Sequence, residues 1–158
     1  MLVYLDVCCL NRPFDDQCQD RIRLETEAVL AIISECEAGK LTLLTSEVAF
    51  WEVEAILNFE RREKVRSFLE ISHKTIQVDV TVVTRGKEIE QLGFGGYDAL
   101  HIASAEIGHA DVFLTVDDGI LSKAKRNSGQ IEIKIMNPVS WLMERMWQED
   151  ANNDIEPN

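Results

Sequence analysis

Five short aliphatic runs punctuate this chain, and stretches long enough for one or more helices lie between them. They are "MLVYLDV" (1–7), "KLTLLTS" (40–46), "KTIQVDV" (74–80), "ADVFLTV" (110–116) and "IEIKIM" (131–136). The first and fourth have the bias of strands buried on both faces, and the third alternates apolar with polar residues. Strands that alternate with helices build a parallel sheet covered on both sides. The expected fold class is therefore α/β, a three-layer α/β/α domain around a central parallel sheet.

The intervening segments carry helix signals. Ile22, Val29, Ile33 and Cys36 share one face of a helix over 21–37 that Gly39 stops. A helix over 47–58 has Ser46 as its N-cap, and "FERREKVRSFLEIS" (59–72) continues as another. The segment 81–92 is helical with Gly86 as a weak point, and the glycine-rich "GFGGY" (93–97) precedes a helix over 98–107. A short helix starts near Gly119, and "PVSWLMERMW" (138–147) opens a last one at Pro138. Residues 1–147 read as a single domain, and 148–158 as an acidic tail expected to be disordered.

The formal net charge is −12, and four of those charges lie in 148–158. Such a surface repels nucleic acid in general, so any nucleic-acid function must concentrate its cations locally. No stretch has the length and apolarity of a membrane span, and the first residues lack a secretory pattern, so the protein is expected to be cytoplasmic. Cys8, Cys9, Cys18 and Cys36 show no metal-site spacing and are expected as buried free thiols.

Sites in open parallel sheets form at the carboxyl ends of the strands. Asp6 ends the first run, and Asp117 and Asp118 end the fourth. Asp98 opens the helix after the glycine-rich break, and Glu52 or Glu54 lies in the helix after the second run. Singly these acids read as caps, turns or solvated helix positions. Gathered, they would repel one another unless a cation neutralised them, and hard oxygen donors favour Mg²⁺ or Mn²⁺. Such an ion serves phosphodiester hydrolysis.

In this order the segments "VYLDVCCLN", "LLTSEVAFWEVEAI", "YDALHIASAE" and "VFLTVDDGIL" resemble those of a PIN domain, the nuclease fold of VapC-type toxins. The third is the most distinctive, close to the D-A-x-H-x-A-x-A pattern of that family. The resemblance spans Leu2 to about Met146 and selects Glu52, six residues after Ser46, over Glu54. It implies a catalytic and metal-binding quartet of Asp6, Glu52, Asp98 and Asp117, with Asp118 as a neighbour that assists or caps. It also implies a Mg²⁺- or Mn²⁺-dependent endoribonuclease, an RNA substrate, a homodimer and an antitoxin partner. One departure stands out: Val7 and Cys8 follow Asp6 where the family has a small polar residue, so Asn11 or a backbone group would have to substitute.

Arg12, Asn11, Arg61 and Arg62 are the candidate substrate contacts, with Arg12 expected to overhang the site, and "SKAKRNS" (122–128) is a second basic patch. His101, one turn after Asp98, either orients a carboxylate or is a satisfied core histidine, the plainer reading. The alternative function is a catalytically silent PIN-like module that binds a protein or nucleic-acid partner. Other phosphate-handling folds fit poorly, because Cys8 stands where a haloacid-dehalogenase-type phosphatase needs a second aspartate and "GFGGYD" lacks the Lys and Ser/Thr of a P-loop.

Overall fold

The computed structural model describes residues 1–153. All five aliphatic runs become strands, each shorter than the run that contains it: β1 (Leu2–Leu5), β2 (Thr42–Ser46), β3 (Lys74–Ile76), β4 (Val112–Leu114) and β5 (Lys134–Met136). They form one parallel sheet in the order β3-β2-β1-β4-β5. The order reverses beside β1, so the crevice between the carboxyl ends of β1 and β4 is the topological switch point.

The helices are α1 (Val7–Asn11), α2 (Asp20–Glu37), α3 (Glu47–Glu54), α4 (Phe59–Leu69), α5 (Val80–Glu90), α6 (Gly96–Ile107), α7 (Asp118–Arg126) and α8 (Pro138–Asn153). Side-chain alternation along β1 and β4 divides the core in two. Val3, Leu5, Val112 and Leu114 pack with residues of α1, α2, α3, α4 and α8 on one face. Tyr4 and Phe113 stack on the other face at 5.2 Å, among residues of α5, α6 and α7. The three layers expected from the sequence are thus present.

Several local details differ from the expectations. After Asp6 the chain forms the helix α1, followed by a 3-10 turn over Arg12–Phe14. The helix expected over 47–58 stops at Glu54, and Asn58 caps a separate α4 by accepting from the Arg61 amide. Gly86 does not weaken α5 but serves a close approach: a Cβ there would lie 2.9 Å from Leu100 Cδ2 of α6. At the far end, α8 runs on to Asn153, through the first part of the segment expected as a tail. The remainder of that segment, 154–158, lies outside the described residues. Among the described residues, no helix is long and apolar enough to cross a membrane.

Candidate active site

Asp6 leaves β1 and faces the switch point almost fully buried. Its backbone amide still donates to Leu114 of β4, at 2.9 Å, so the sheet itself sets its position. Its Oδ2 accepts from Thr115 Oγ1 at 2.8 Å and from Cys8 Sγ at 3.2 Å. Burial raises the Asp6 carboxyl above its ordinary value, and the nearby His101 and the two donors only partly offset that.

Thr115 answers the departure noted at Val7 and Cys8. The hydroxyl that the sequence seemed to lack after Asp6 comes from the neighbouring strand's tip, two residues before Asp117. Its signal was present as the threonine of "LTVD", and reading each strand end alone missed it. Asn11 is engaged elsewhere: it donates to Val7 O within α1 and accepts from Arg61. The cysteines also separate. Cys9 is buried in the core and Cys36 likewise, while Cys8 faces Asp6 and Cys18 is exposed, against the expectation of four buried thiols.

Glu52 projects from α3, with its side chain 39% exposed. Its Oε2 lies 2.7 Å from His101 Nε2, and ligand atoms of Asp6, Glu52 and His101 all lie within 4.8 Å of one another. Glu54 points elsewhere and pairs with Arg66. His101 is not merely a core residue: buried in α6, it contacts the carboxylate directly. Burial opposes its charge, but the bond to Glu52 and the fields of Asp6 and Asp98 outweigh that and raise its pKa.

Asp98 lies in the first turn of α6, whose N-cap is Gly95, so the capping explanation for Asp98 does not apply. Its carboxyl is pushed up to about 6, first by burial and then by Asp6, Asp117 and Glu52. Asp6, Asp117 and Glu52 thus all act on Asp98. Asp117 is the N-cap of α7, and its Oδ1 accepts from the amides of Gly119 and Ile120. Asp118 turns away to Arg21, which donates to both its oxygens.

The anchored acids thus share a pattern. Asp6, Glu52 and Asp117 are each held through one oxygen, which leaves the other for a ligand, and Asp98 has both free among the described residues. Such a set of hard oxygen donors suits a divalent cation.

A family model described as "PIN domain" matches residues 3–126. The chain belongs to the PIN domain family. No curated protein matches it in sequence at a significant level. Among solved structures, FitAcB from Neisseria gonorrhoeae is similar with a TM-score of 0.57 at 18% identity, covering 86% of this chain and 97% of that one. VapBC2 from Rickettsia felis, bound to a DNA fragment from their promoter, is similar with a TM-score of 0.51 at 17% identity, covering 87% and 98%. At such identities the likeness is one of fold.

Within this PIN domain the expected cationic contacts are largely engaged elsewhere. Arg12 pairs with Glu25 at 2.7 Å and Asp15 at 3.1 Å. Arg61 bonds Asn11 and Asp15, and Arg62 donates to Ile56 O and lies over the Phe59 ring. Sixteen lysines and arginines are present, and among the described residues only Lys40, Lys74, Lys87, Lys123, Lys125 and Arg126 lack a carboxylate within 4 Å. Three of these six sit at the end of α7, the helix that Asp117 caps.

Proposed function

We propose that this PIN domain is a divalent-metal-dependent endoribonuclease that hydrolyses RNA phosphodiester bonds, and that it is the toxin of a toxin–antitoxin pair. The observation that carries the reading is the cluster of Asp6, Glu52 and His101 within 4.8 Å at the sheet's switch point, with Asp98 in the field of Asp6, Asp117 and Glu52. PIN-family membership supports nuclease chemistry, and the likeness to FitAcB and VapBC2 supports the toxin–antitoxin setting. The proposed partners are RNA, an antitoxin protein and a second copy of the chain.

Asp6, Glu52, Asp98 and Asp117 would hold Mg²⁺ or Mn²⁺. When bound, the ion supplies charge neutralisation at the phosphate and acidifies water for attack. The chain's own part is placement. Thr115 and Cys8 hold Asp6, His101 holds Glu52, and the first amides of α7 hold Asp117. Asp98, protonated up to about pH 6, releases its proton when a cation enters. The free cations of α7 are the best-placed group to grip the phosphate backbone, ahead of Arg12, Asn11, Arg61 and Arg62.

The test is Mn²⁺ binding by calorimetry on wild type and Asp98→Asn, followed in the same samples by cleavage of a mixed RNA pool. Binding and cleavage are both expected in wild type and both lost in the variant. Wild-type protein that binds no divalent ion would turn the reading to the silent partner-binding module.

A further inference from the structure

Asp6 and Asp117 are anchored by groups next to them in the fold, and Asp98 has a short side chain on the first turn of its helix. Glu52 differs. Its side chain is long and half-exposed, and among the described residues its one hydrogen-bond partner is His101. A free glutamate side chain samples several rotamers, and holding it in one costs side-chain entropy.

His101 is rigid for a traceable reason. It is 1% exposed, and its Nδ1 lies 2.6 Å from the Tyr4 hydroxyl. Tyr4 is fully buried, stacks on Phe113 and places the same hydroxyl 2.6 Å from Ser46 Oγ. Ser46 occupies the N-cap position of α3, where the sequence predicts a cap, yet its hydroxyl makes no cap bond and serves Tyr4 instead.

We propose that Ser46, Tyr4 and His101 form a buried relay that positions Glu52, and that His101 is a positioning residue rather than a metal ligand. By distance alone His101 qualifies as a ligand, since its nitrogen lies within the 4.8 Å cluster. Hydrogen bonding argues otherwise. An ionised carboxylate only accepts, so Nε2 carries the hydrogen that Glu52 Oε2 receives. In neutral His101, Nδ1 then accepts from Tyr4 O–H and Tyr4 accepts from Ser46 O–H. In protonated His101, Nδ1 donates to Tyr4 and Tyr4 donates to Ser46, while Nε2 donates to Glu52 in both forms. In either form neither ring nitrogen keeps a free lone pair. The relay fixes Oε2 and leaves Oε1 for the cation. It also refers Glu52, on α3, to the strand that delivers Asp6 two residues after Tyr4. Outer partners of this kind commonly change metal affinity 10- to 100-fold when removed.

The inference rests on the metal site proposed above, and the test separates the two. Mn²⁺ affinity is measured by calorimetry for wild type, Asp6→Asn, Glu52→Gln, His101→Gln and His101→Asn, alongside thermal melting in chelator. A glutamine amide can reach the Nε2 position, whereas an asparagine amide stops near Nδ1. The expected result is affinity within about threefold of wild type for His101→Gln and a loss of roughly tenfold or more for His101→Asn. Equal, unchanged affinities with lowered melting temperatures would make His101 purely structural and overturn the proposal. A His101→Gln loss as large as that of Glu52→Gln would make it a ligand and also overturn it. Equal binding by wild type and Asp6→Asn would instead refute the metal site itself, and the proposal with it. Should the His101 variants fail to fold, imidazole nitrogen NMR of the wild type decides. Nε2 is expected to carry its hydrogen both without ion and with Mg²⁺ saturating, and a bare Nε2 in either state would overturn the relay.

Discussion

Asp98 shows how a binding site opposes the fold that carries it. Its carboxyl is raised from an ordinary 3.8 to about 6, so the folded chain binds its proton more tightly than the unfolded chain does. Its favourable contribution is therefore complete below about pH 3.8 and lost as pH rises through about 6; Asp6, also raised, acts in the same direction. Asp98→Asn should melt higher than wild type in chelator near neutral pH, by roughly 3 °C for each kcal/mol relieved. It should also flatten the stability change across roughly pH 4 to 6, and thermal melts across that window would read both. Mn²⁺ affinity of the wild type should climb over the same window, because proton and cation compete. Thr115→Val makes the opposite change. It leaves the Asp6 carboxylate short of its best donor and should destabilise the fold by about 1–3 kcal/mol, measured by urea unfolding.

At the scale of elements, α7 joins a carboxylate to a cationic patch. Asp117 caps its first turn, and Lys123, Lys125 and Arg126 occupy its last, about 13 Å away by helical rise. There they also complement the helix dipole, which is the ordinary reason for such placement. Replacing all three with Gln should leave Mn²⁺ affinity unchanged while weakening RNA binding and flattening its salt dependence. Filter binding at several salt concentrations would show this, and an unchanged salt slope would exclude α7 from the phosphate path. Helix α6 makes a different kind of joint. It ends at Gly108, where a Cβ would fall 2.4 Å from Leu44 Cδ2 and 3.1 Å from Ile76. Gly108→Ala should therefore cost about 1–3 kcal/mol through overpacking against β2 and β3, again read by urea unfolding.

For the whole molecule, charge is the governing quantity. A chain of formal net charge −12 gathers four acids at one crevice while most of its arginines are held in ion pairs. A cation that binds only the folded state stabilises it by mass action, by about 2.7 kcal/mol at a hundredfold excess over Kd. Mn²⁺ should thus raise the melting temperature by roughly 8 °C in wild type and far less in Asp98→Asn. Calorimetric scans with and without the ion would check it.

The fold was legible because strand–helix alternation and apolar faces are local patterns that a parallel sheet requires. Asp6, Glu52, Asp98 and Asp117 were legible because strand tips and helix starts are where such a sheet builds its sites. The sequence by itself thus determined the layers and nominated the acids. Tertiary structure alone decided which side chains meet them. Thr115 reaches Asp6 across 109 residues of chain, His101 reaches Glu52 across 49, and Arg12 pairs with Glu25. Partners so distant along the chain are set by strand pairing and core packing, and a hydrogen bond between two pairable groups leaves no periodic trace in either segment. For that reason the acids could be named from sequence, while the groups that aim them could not.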